Sequence, residues 1–599
     1  MIKVSDYVLN YITSLGVKHV FMLAGGQAMH LNDSTGKNRR LKFVCALHEQ
    51  AAAMMAEAYS RTTDNYGVCI VTTGPGGTNA VTGVMSAWLD STPCMFLSGQ
   101  FRVDCTVGKQ KIRQTCLQST DPATLMKPIT KYAVMVTDPS MIRYHLEKAF
   151  YLSTSGRPGP VWLDLPLDVQ SAIVDDKKLV GFKPVSENND RNNLSVKAGK
   201  VLKILSNAKR PVILAGNGIR LAHSIPDFLK LVDKLKIPVL TSINGIDLIQ
   251  EKHPMYFGRP NYWGQRYANF TIQNADVLIT LGAGLHLETT SFNYKSFARE
   301  AYRIVVDIDR NELKKKYVKP NMPICADVGL FIKCMLTQAK YFSNDNLKSW
   351  RDVCRSWKAR YPVIVPNFYQ NTNLVNPFIF TDTLCDEISS DDAVIPGSAG
   401  THFTTAVQAF KVKKGQRVFS EIGIGAMGHS LPSSIAASVA RGNKRVICLT
   451  GDGGIQLNIQ ELQTVMTYKL PIKIFVMNNN GYMSIRNTQR VNFNSNFVGC
   501  NKVSGLQFPS FKKIAGAYGL KYAVMRNNKE IKTVINKVLS TNGPVLCEVM
   551  LDPEAVLMPR VTSRRLPDGR MVSSPLEDQW PFLDRNALKK EMFIELCKG

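Results

Sequence analysis

Thirteen cysteines are present, but no two of them form a C-x-x-C pair. Cys45, Cys69, Cys94, Cys325 and Cys448 are dispersed, and most of the thirteen lie inside apolar runs. That spacing excludes a disulfide framework or an ordinary zinc site and predicts reduced, buried thiols. No apolar run reaches membrane-spanning length. The opening MIKVSDYVLNYITSLGVKHVF, interrupted by Asp6, lacks the apolar core of a signal peptide, so a cytoplasmic protein without a membrane partner is expected. Tandem repeats and low-complexity segments are also missing. Acidic residues are few: 47 Asp and Glu against 74 Lys and Arg give a net charge of +27. This balance suits nucleic acid, an anionic surface or acidic small molecules. The cations are scattered in short runs such as Lys314 to Lys316 and Arg564 with Arg565, however, with no basic arm or aromatic-interleaved strip. A nucleic-acid partner is therefore not expected.

At 599 residues the chain should hold about three to five domains. Short Val- and Ile-rich runs alternate with segments of helical period, as in KFVCAL then EQAAAMMAEAYSR, and GVCIVTT then NAVTGVMSAWLD. This alternation predicts an α/β fold of doubly wound parallel sheets. Two stretches break the rhythm and read as linkers: the Asn-rich Val185 to Ser195, and the mixed, proline-interrupted Tyr341 to Pro377. They leave three α/β blocks at 1–182, 196–340 and 378–555, followed by a tail at 556–599.

The strongest local signal is RVICLTGDGGIQLNIQELQTVMTYKLPIKIFVMNNNGYM. RVICLT and IKIFVMN read as strands, with a glycine turn and a helix from Asn458 to Tyr468 between them. A right-handed crossover opens the carboxyl ends of both strands on one sheet edge, which makes Asp452 and Asn479 neighbours. A carboxylate, an amide oxygen and a nearby backbone carbonyl are hard ligands suited to Mg²⁺. Gly451, Gly453 and Gly454 let backbone approach phosphates, and the following helix offers its N-terminus to their charge. A lone GDG would be explained as a structural turn, but the Asn-rich strand end at this spacing makes that account insufficient.

GDG followed at this interval by NN resembles the metal and diphosphate motif of thiamine-diphosphate enzymes. The similarity runs along nearly the whole chain. ALHEQAAAMMAEAYSRTT, VTTGPGGTN and TSGRPGPVWLDLPLDVQ resemble the pyrimidine-binding domain of the acetolactate synthase group, and GIGAMGHSLPSSIAASVA resembles its segment before GDG. The resemblance implies that Asp452, Asn479 and the main-chain carbonyl of Gly481 hold the metal. Glu49, which in isolation could simply be an acid favoured at a helix N-terminus, becomes the catalytic carboxyl that shares a proton with the cofactor's aminopyrimidine ring. The cofactor then serves as electron sink for decarboxylation of a 2-oxo acid such as pyruvate, before the two-carbon unit passes to a carbonyl acceptor. In this family the cofactor spans two subunits, so a homodimer or homotetramer with interfacial sites is implied.

The same resemblance assigns further residues. Met427 would support the bent cofactor, with core packing as the plain alternative. Gly74, Gly76 and Asn79 belong to a loop that could cradle phosphate through its amides, but in the family it lies near the active site and, in flavin-containing members, near the flavin. Gln114 and Lys131 match substrate-channel positions. Arg113 stands where the standard enzyme has an aromatic residue; it would change the acceptor pocket, or else be an ordinary surface cation. Gly423 to Gly428, GIGAMG, satisfies G-x-G-x-x-G, but the poor strand GQRVFSEI before it argues against a dinucleotide fingerprint. The middle block resembles a flavin-binding domain. Gly216, Gly282 and Asp307 stand at strand ends and FAD is implied, although GAGLHLE lacks the Arg that relatives commonly place after LG. The tail, the SGQ and IRQ segments and the chain start resemble a sugar-modifying branch that includes the flavoenzyme building the two-carbon branch of yersiniose. That branch makes a nucleotide-linked keto sugar the alternative acceptor. A catalytically idle relative kept as a binding subunit is the rival from another class, and intact Glu49, Asp452 and Asn479 speak against it.

Overall fold

The computed structural model describes residues 1–107, 110, 112–184, 191–343, 345–369, 373–555, 557–565 and 568–597. Strands such as GVCIV at Gly67–Val71 and VLITL at Val277–Leu281 are buried along their whole length, as a parallel sheet covered on both faces requires. Three parallel sheets result, and the fold is α/β as expected. The first orders its strands Lys42–Cys45, His19–Met22, Gly67–Val71, Cys94–Gln100, Val161–Pro166 and Tyr132–Met135. The second runs Val239–Thr241, Pro211–Ala215, Val277–Leu281, Tyr302–Asp307 and Met322–Cys325. The third runs Ala393–Ile395, Val446–Gly451, Ile472–Asn478, Val545–Met550 and Lys521–Met525. Among the described residues no helix is long and apolar enough to cross a membrane.

The first and third sheets are tied together by helices rather than by strands. In the Ala-rich helix Glu49–Thr63, small side chains allow close approach: a Cβ on Gly83 of helix Pro75–Leu89 would stand 2.4 Å from that of Ala53. The same helix shares one hydrophobic core with helix Ser430–Ala440 of the third sheet. Where the three sheets meet, polar contacts take over. Arg61 pairs with Asp90 at 3.1 Å, Asn244 donates to Asp90 at 2.9 Å, and Arg417 donates to the Arg61 carbonyl at 2.8 Å while also pairing with Asp247.

Two linker expectations need correction. Residues 185–190 lie outside the described residues, but Arg191 to Ser195 already form the first turns of helix Arg191–Asn207. The stretch Tyr341 to Pro377 contains helix Lys348–Arg360, which buries Trp350, Cys354 and Trp357 against the middle sheet's core. Their i, i+4, i+7 spacing is that of an apolar helical stripe, which the flanking prolines masked. The tail covers this same middle region: Asn269 donates to the Leu576 carbonyl, Gln273 to Glu577, and Trp357 to Glu591.

Candidate active site

The GDGG turn leaves strand Val446–Gly451, and the neighbouring strand Ile472–Asn478 runs parallel to it, placing Asn479 beside Asp452. One Asp452 oxygen accepts from the Gly453 N–H at 2.8 Å, the other from the Asn479 and Gly481 N–H groups at 3.0 and 3.1 Å. Burial pushes the Asp452 carboxyl up to about 6, against the pull of these three donors. The side-chain Oδ1 of Asn479 is buried without a partner, an unmet acceptor that a hard cation would satisfy. Among the described residues no three His, Cys, Asp or Glu side chains gather as a metal cluster; what stands here is one carboxylate beside an unpartnered amide oxygen. Glycine is sterically required nearby. A Cβ on Gly453 would meet Tyr482 at 2.2 Å, and one on Gly481, whose φ is +146°, would meet the Cys500 carbonyl at 2.1 Å. The buried ring of His402 packs against the same turn, 3.3 Å from where a Gly451 Cβ would stand and 2.6 Å from one on Gly397. Its Nδ1 has no partner, and burial lowers its pKa to about 4, so it is a neutral imidazole facing the turn.

Glu49 is the first residue of its helix, behind His48, whose ring nitrogen accepts the Gln50 N–H at 3.1 Å. Its carboxylate accepts from Asn79 Nδ2 at 2.9 Å. The loop before it hangs from the third sheet's domain: the Leu47 N–H donates to Glu461 at 3.0 Å and the Cys45 N–H to the Tyr468 hydroxyl at 2.8 Å. Asn79 lies on helix Pro75–Leu89 together with Gly76, so the expected loop shrinks to Gly74, the residue just before the helix. Gly74 has φ +65°, and a Cβ there would meet Gln118 at 2.9 Å. Its N–H donates to the hydroxyl of Thr120, whose carbonyl accepts from Gln100; Gln100 also donates to Asp164.

Burial pushes the Asp164 carboxyl from 3.8 up to about 7, despite the bonds from Ser98 and Gln100. The fold therefore favours the protonated form. This contribution is complete below about pH 4 and lost as pH rises through about 7, in the limit about 4 kcal/mol. Thermal unfolding of Asp164→Asn is expected to gain on the parent chain between about pH 4 and pH 7. A constant difference in Tm across that range would overturn the assignment.

Helix Glu49–Thr63 meets the Met427 segment within one chain at two points, and at one of them Asn458 bonds both Met54 and the Gly428 carbonyl. Glu57, eight residues or about 12 Å along the helix from Glu49, approaches His429 at 3.5 Å, and His429 follows Met427 by two residues. The half-buried Met427 lies on a loop between Glu421 and Gly428. GIGAMG here is no dinucleotide loop: only an isolated bridge at Val418 precedes it, and the buried Glu421 carboxylate accepts the N–H groups of Ile424, Gly425 and Ala426 at 2.7, 3.2 and 2.9 Å.

A separate cavity of about 880 Å³ opens between the first and middle sheets, lined by Asp90, Lys131, Arg157, Gly218, Gly282 and Asp307 among others. It falls in the upper part of the range for small-molecule sites, about 300–1,000 Å³. Gly216 does not line it; that glycine lets two turns meet, since its Cβ would stand 2.2 Å from the Gly282 carbonyl. Lys131 donates to the Ser155 and Arg157 carbonyls at 2.6 and 2.8 Å. Arg157 reaches Glu312 at 2.9 Å and Asp309 at 3.4 Å; burial opposes its charge, but these carboxylates with Asp307 hold its pKa above the ordinary value. Arg113 and Gln114 are exposed and are not among the residues lining the cavity.

Comparison with known proteins matches all three blocks to thiamine pyrophosphate enzyme domains: the N-terminal TPP binding domain at 2–120, the central domain at 198–335 and the C-terminal TPP binding domain at 398–549. An acetolactate synthase large subunit of Cyanidium caldarium is 32% identical over 570 residues, covering 92% of this chain and 94% of that protein. The acetolactate synthase large subunits of Porphyra purpurea (33% identical, 90% and 91% covered) and Lactococcus lactis (30%, 93% and 94%) are similar along nearly their whole lengths. The chain belongs to the thiamine pyrophosphate enzymes of the acetolactate synthase large-subunit type. It is accordingly a thiamine-diphosphate-dependent carboligase of acetolactate synthase-like kind.

For a thiamine-diphosphate enzyme, the structure adds two residues that motif reading missed. His402 follows the glycines of GSAG, and only the fold brings it against the GDGG turn. Arg157 lies inside the TSGRPGP motif of the first block, yet it faces the cavity shared with the middle domain. The glycines just before it, Gly397 and Gly400, were the one available signal for His402. Arg157 carried none, because a charge in a loop reads as solvated.

Proposed function

We propose that this enzyme decarboxylates pyruvate and joins the two-carbon unit to a carbonyl acceptor, with a second 2-oxo acid as the main acceptor. The observation that carries this reading is the partnerless Oδ1 of Asn479 beside the buried Asp452 carboxylate. Those two groups with the Gly481 carbonyl would hold Mg²⁺. Gly451, Gly453 and Gly454 leave room for a diphosphate, and neutral His402 offers it a ring nitrogen. Thiamine diphosphate, when bound, supplies the electron sink for loss of the carboxylate. Glu49 holds the exchangeable proton at its carboxyl, and Asn79 orients that carboxyl. Met427 supplies an apolar prop, and Gly74 with the start of helix Pro75–Leu89 forms a wall. Domains at 1–182, 196–340 and 378–555, with a covering segment at 556–599, are the frame proposed for these roles. The test incubates the protein with pyruvate, thiamine diphosphate and Mg²⁺ and identifies products by mass. Acetolactate with CO₂ release is expected; no pyruvate consumption would overturn the reading.

The cavity suits FAD in size and chemistry. Asp307 ends its strand where a ribose hydroxyl would be recognised, and Arg157 supplies a cation for the pyrophosphate. Replacing Arg157 with alanine should lower flavin affinity roughly tenfold or more, the worth of one charge-assisted hydrogen bond. Visible flavin absorbance of the two preparations measures it, and equal flavin content would count against the assignment. Lys131, bonded to two carbonyls, shapes the cavity wall. Arg113 and Gln114, exposed in one chain, would reach a substrate channel only after subunits associate. A dimer or tetramer is supported by exposed Leu47, Leu457 and Ile424, which are 51%, 44% and 39% accessible beside the candidate residues.

One observation favours a nucleotide-linked keto sugar as a second acceptor. Next to His402, Phe403 meets Trp263 edge-on at 6.0 Å. Trp263 lies 3.9 Å from Tyr262, which in turn is 6.0 Å from the exposed Phe292, giving an aromatic strip for a ring to stack on. The tail runs beside it, with the Val561 N–H donating to the Tyr262 carbonyl at 2.7 Å. Adding keto-sugar nucleotides to the same assay distinguishes the two acceptors by the mass of the product.

A further inference from the structure

The loop that carries Met427 is held by an anion of its own. Glu421 is fully buried, and its two oxygens take the N–H groups of three successive residues, Ile424, Gly425 and Ala426. Gly425 has φ +67° with nothing within 4 Å of its would-be Cβ, so glycine is needed there for the turn rather than for space. The left-handed residue between its neighbours converges the three amides into a nest, a concavity that elsewhere binds phosphate or another anion. Here a carboxylate of the same chain fills it. The loop is fixed further on each side of Met427: Ser398 donates to the Ala426 carbonyl at 3.0 Å, and Asn458 donates to the Gly428 carbonyl at 3.0 Å. At its base the Ile422 N–H donates to Asp90 at 3.3 Å.

We infer that Glu421 is a positioning residue for the cofactor site: its carboxylate sets the conformation of residues 424–426 and thereby the place of Met427. The inference rests on the proposed role of Met427 beneath thiamine diphosphate. Removal of the carboxylate leaves three convergent donors without an acceptor, and a buried donor without a partner is costly. The loop then rearranges to solvate them and Met427 moves with it. A small free carboxylate should refill the nest, a rescue that a general loss of packing would not show.

The experiment uses the full chain as parent and as Glu421→Ala, with and without formate. It reads amide hydrogen exchange at Ile424, Gly425 and Ala426 and the Kd for thiamine diphosphate in the presence of Mg²⁺. Expected are faster exchange at those three amides and a Kd roughly tenfold higher, both reversed by formate. Parental exchange at these amides in Glu421→Ala, or a Kd equal to that of the parent, would overturn the inference. If Glu421→Ala does not fold, Glu421→Gln replaces one acceptor oxygen with a donor and must still accelerate exchange at one or more of the three amides; parental protection there overturns the inference. Met427→Ala separates this inference from the reading beneath it. A parental Kd in that variant refutes the role of Met427, and absence of thiamine diphosphate binding by the parent refutes the proposed function, while the exchange measurement still reports on the nest.

Discussion

Pyruvate consumption by Glu49→Gln should fall roughly 10²–10⁴-fold, the range associated with loss of a positioned general acid or base. The Kd for thiamine diphosphate should stay within about threefold of the parent, since the carboxyl contributes a proton rather than the bulk of the contact. The substitution is conservative in shape. An amide oxygen can still accept from Asn79, which bonds the carboxylate at 2.9 Å, and the helix start keeps its His48 cap. What disappears is the exchangeable proton. Asn79→Ala provides the graded comparison: the proton remains but its orientation is lost, so the rate should fall less than in Glu49→Gln. Steady-state turnover with calorimetric cofactor binding checks both. Undiminished turnover by Glu49→Gln would remove Glu49 from the chemistry, and a matching collapse in cofactor affinity would recast it as a binding residue.

How far the sequence could disclose this site depended on whether a residue's partner was close in the motif or only in space. Asp452 and Asn479 could be paired from their spacing because a right-handed crossover leaves few places for two strand ends to go. The α/β class was legible for a similar reason: buried parallel strands leave continuous apolar runs. The role proposed for Glu49 came only through resemblance, since nothing local distinguishes a catalytic carboxyl from one that suits a helix start. Its Asn79 partner lies 30 residues away on another helix and leaves no local trace. Glu421 was obscured by its setting, because GQRVFSEI is a weak strand pattern and the glycine motif that follows suggests a bound nucleotide rather than a self-filled nest. Helix Lys348–Arg360 was hidden by flanking prolines, although its buried Trp350, Cys354 and Trp357 are regularly spaced. In each missed case the deciding interaction was tertiary, and local preference yielded to it.

Mixing two inactive variants should restore activity. On the proposed roles, Glu49→Gln removes the proton-bearing carboxyl and Asp452→Asn weakens the metal site, so either variant alone is expected to be nearly inactive. If a site combines Glu49 of one subunit with Asp452 of the other, a mixed dimer contains one site damaged twice and one site wholly intact. Random exchange at equal concentrations makes about half the dimers mixed, and about a quarter of parental activity should return. If Glu49 instead served Asp452 of its own chain, each subunit would keep its single defect and no mixing would help. The proposed oligomer predicts the first outcome. Leu47, two residues before Glu49, and Leu457, five residues after Asp452, leave apolar surface exposed that a second copy would cover. Activity after unfolding and refolding the two variants together, against each refolded alone, gives the measurement. Failure to regain activity, with mixed dimers demonstrated by mass, would place the whole site within one chain. It would also leave the exposed apolar residues to be explained by a contact that has no part in catalysis.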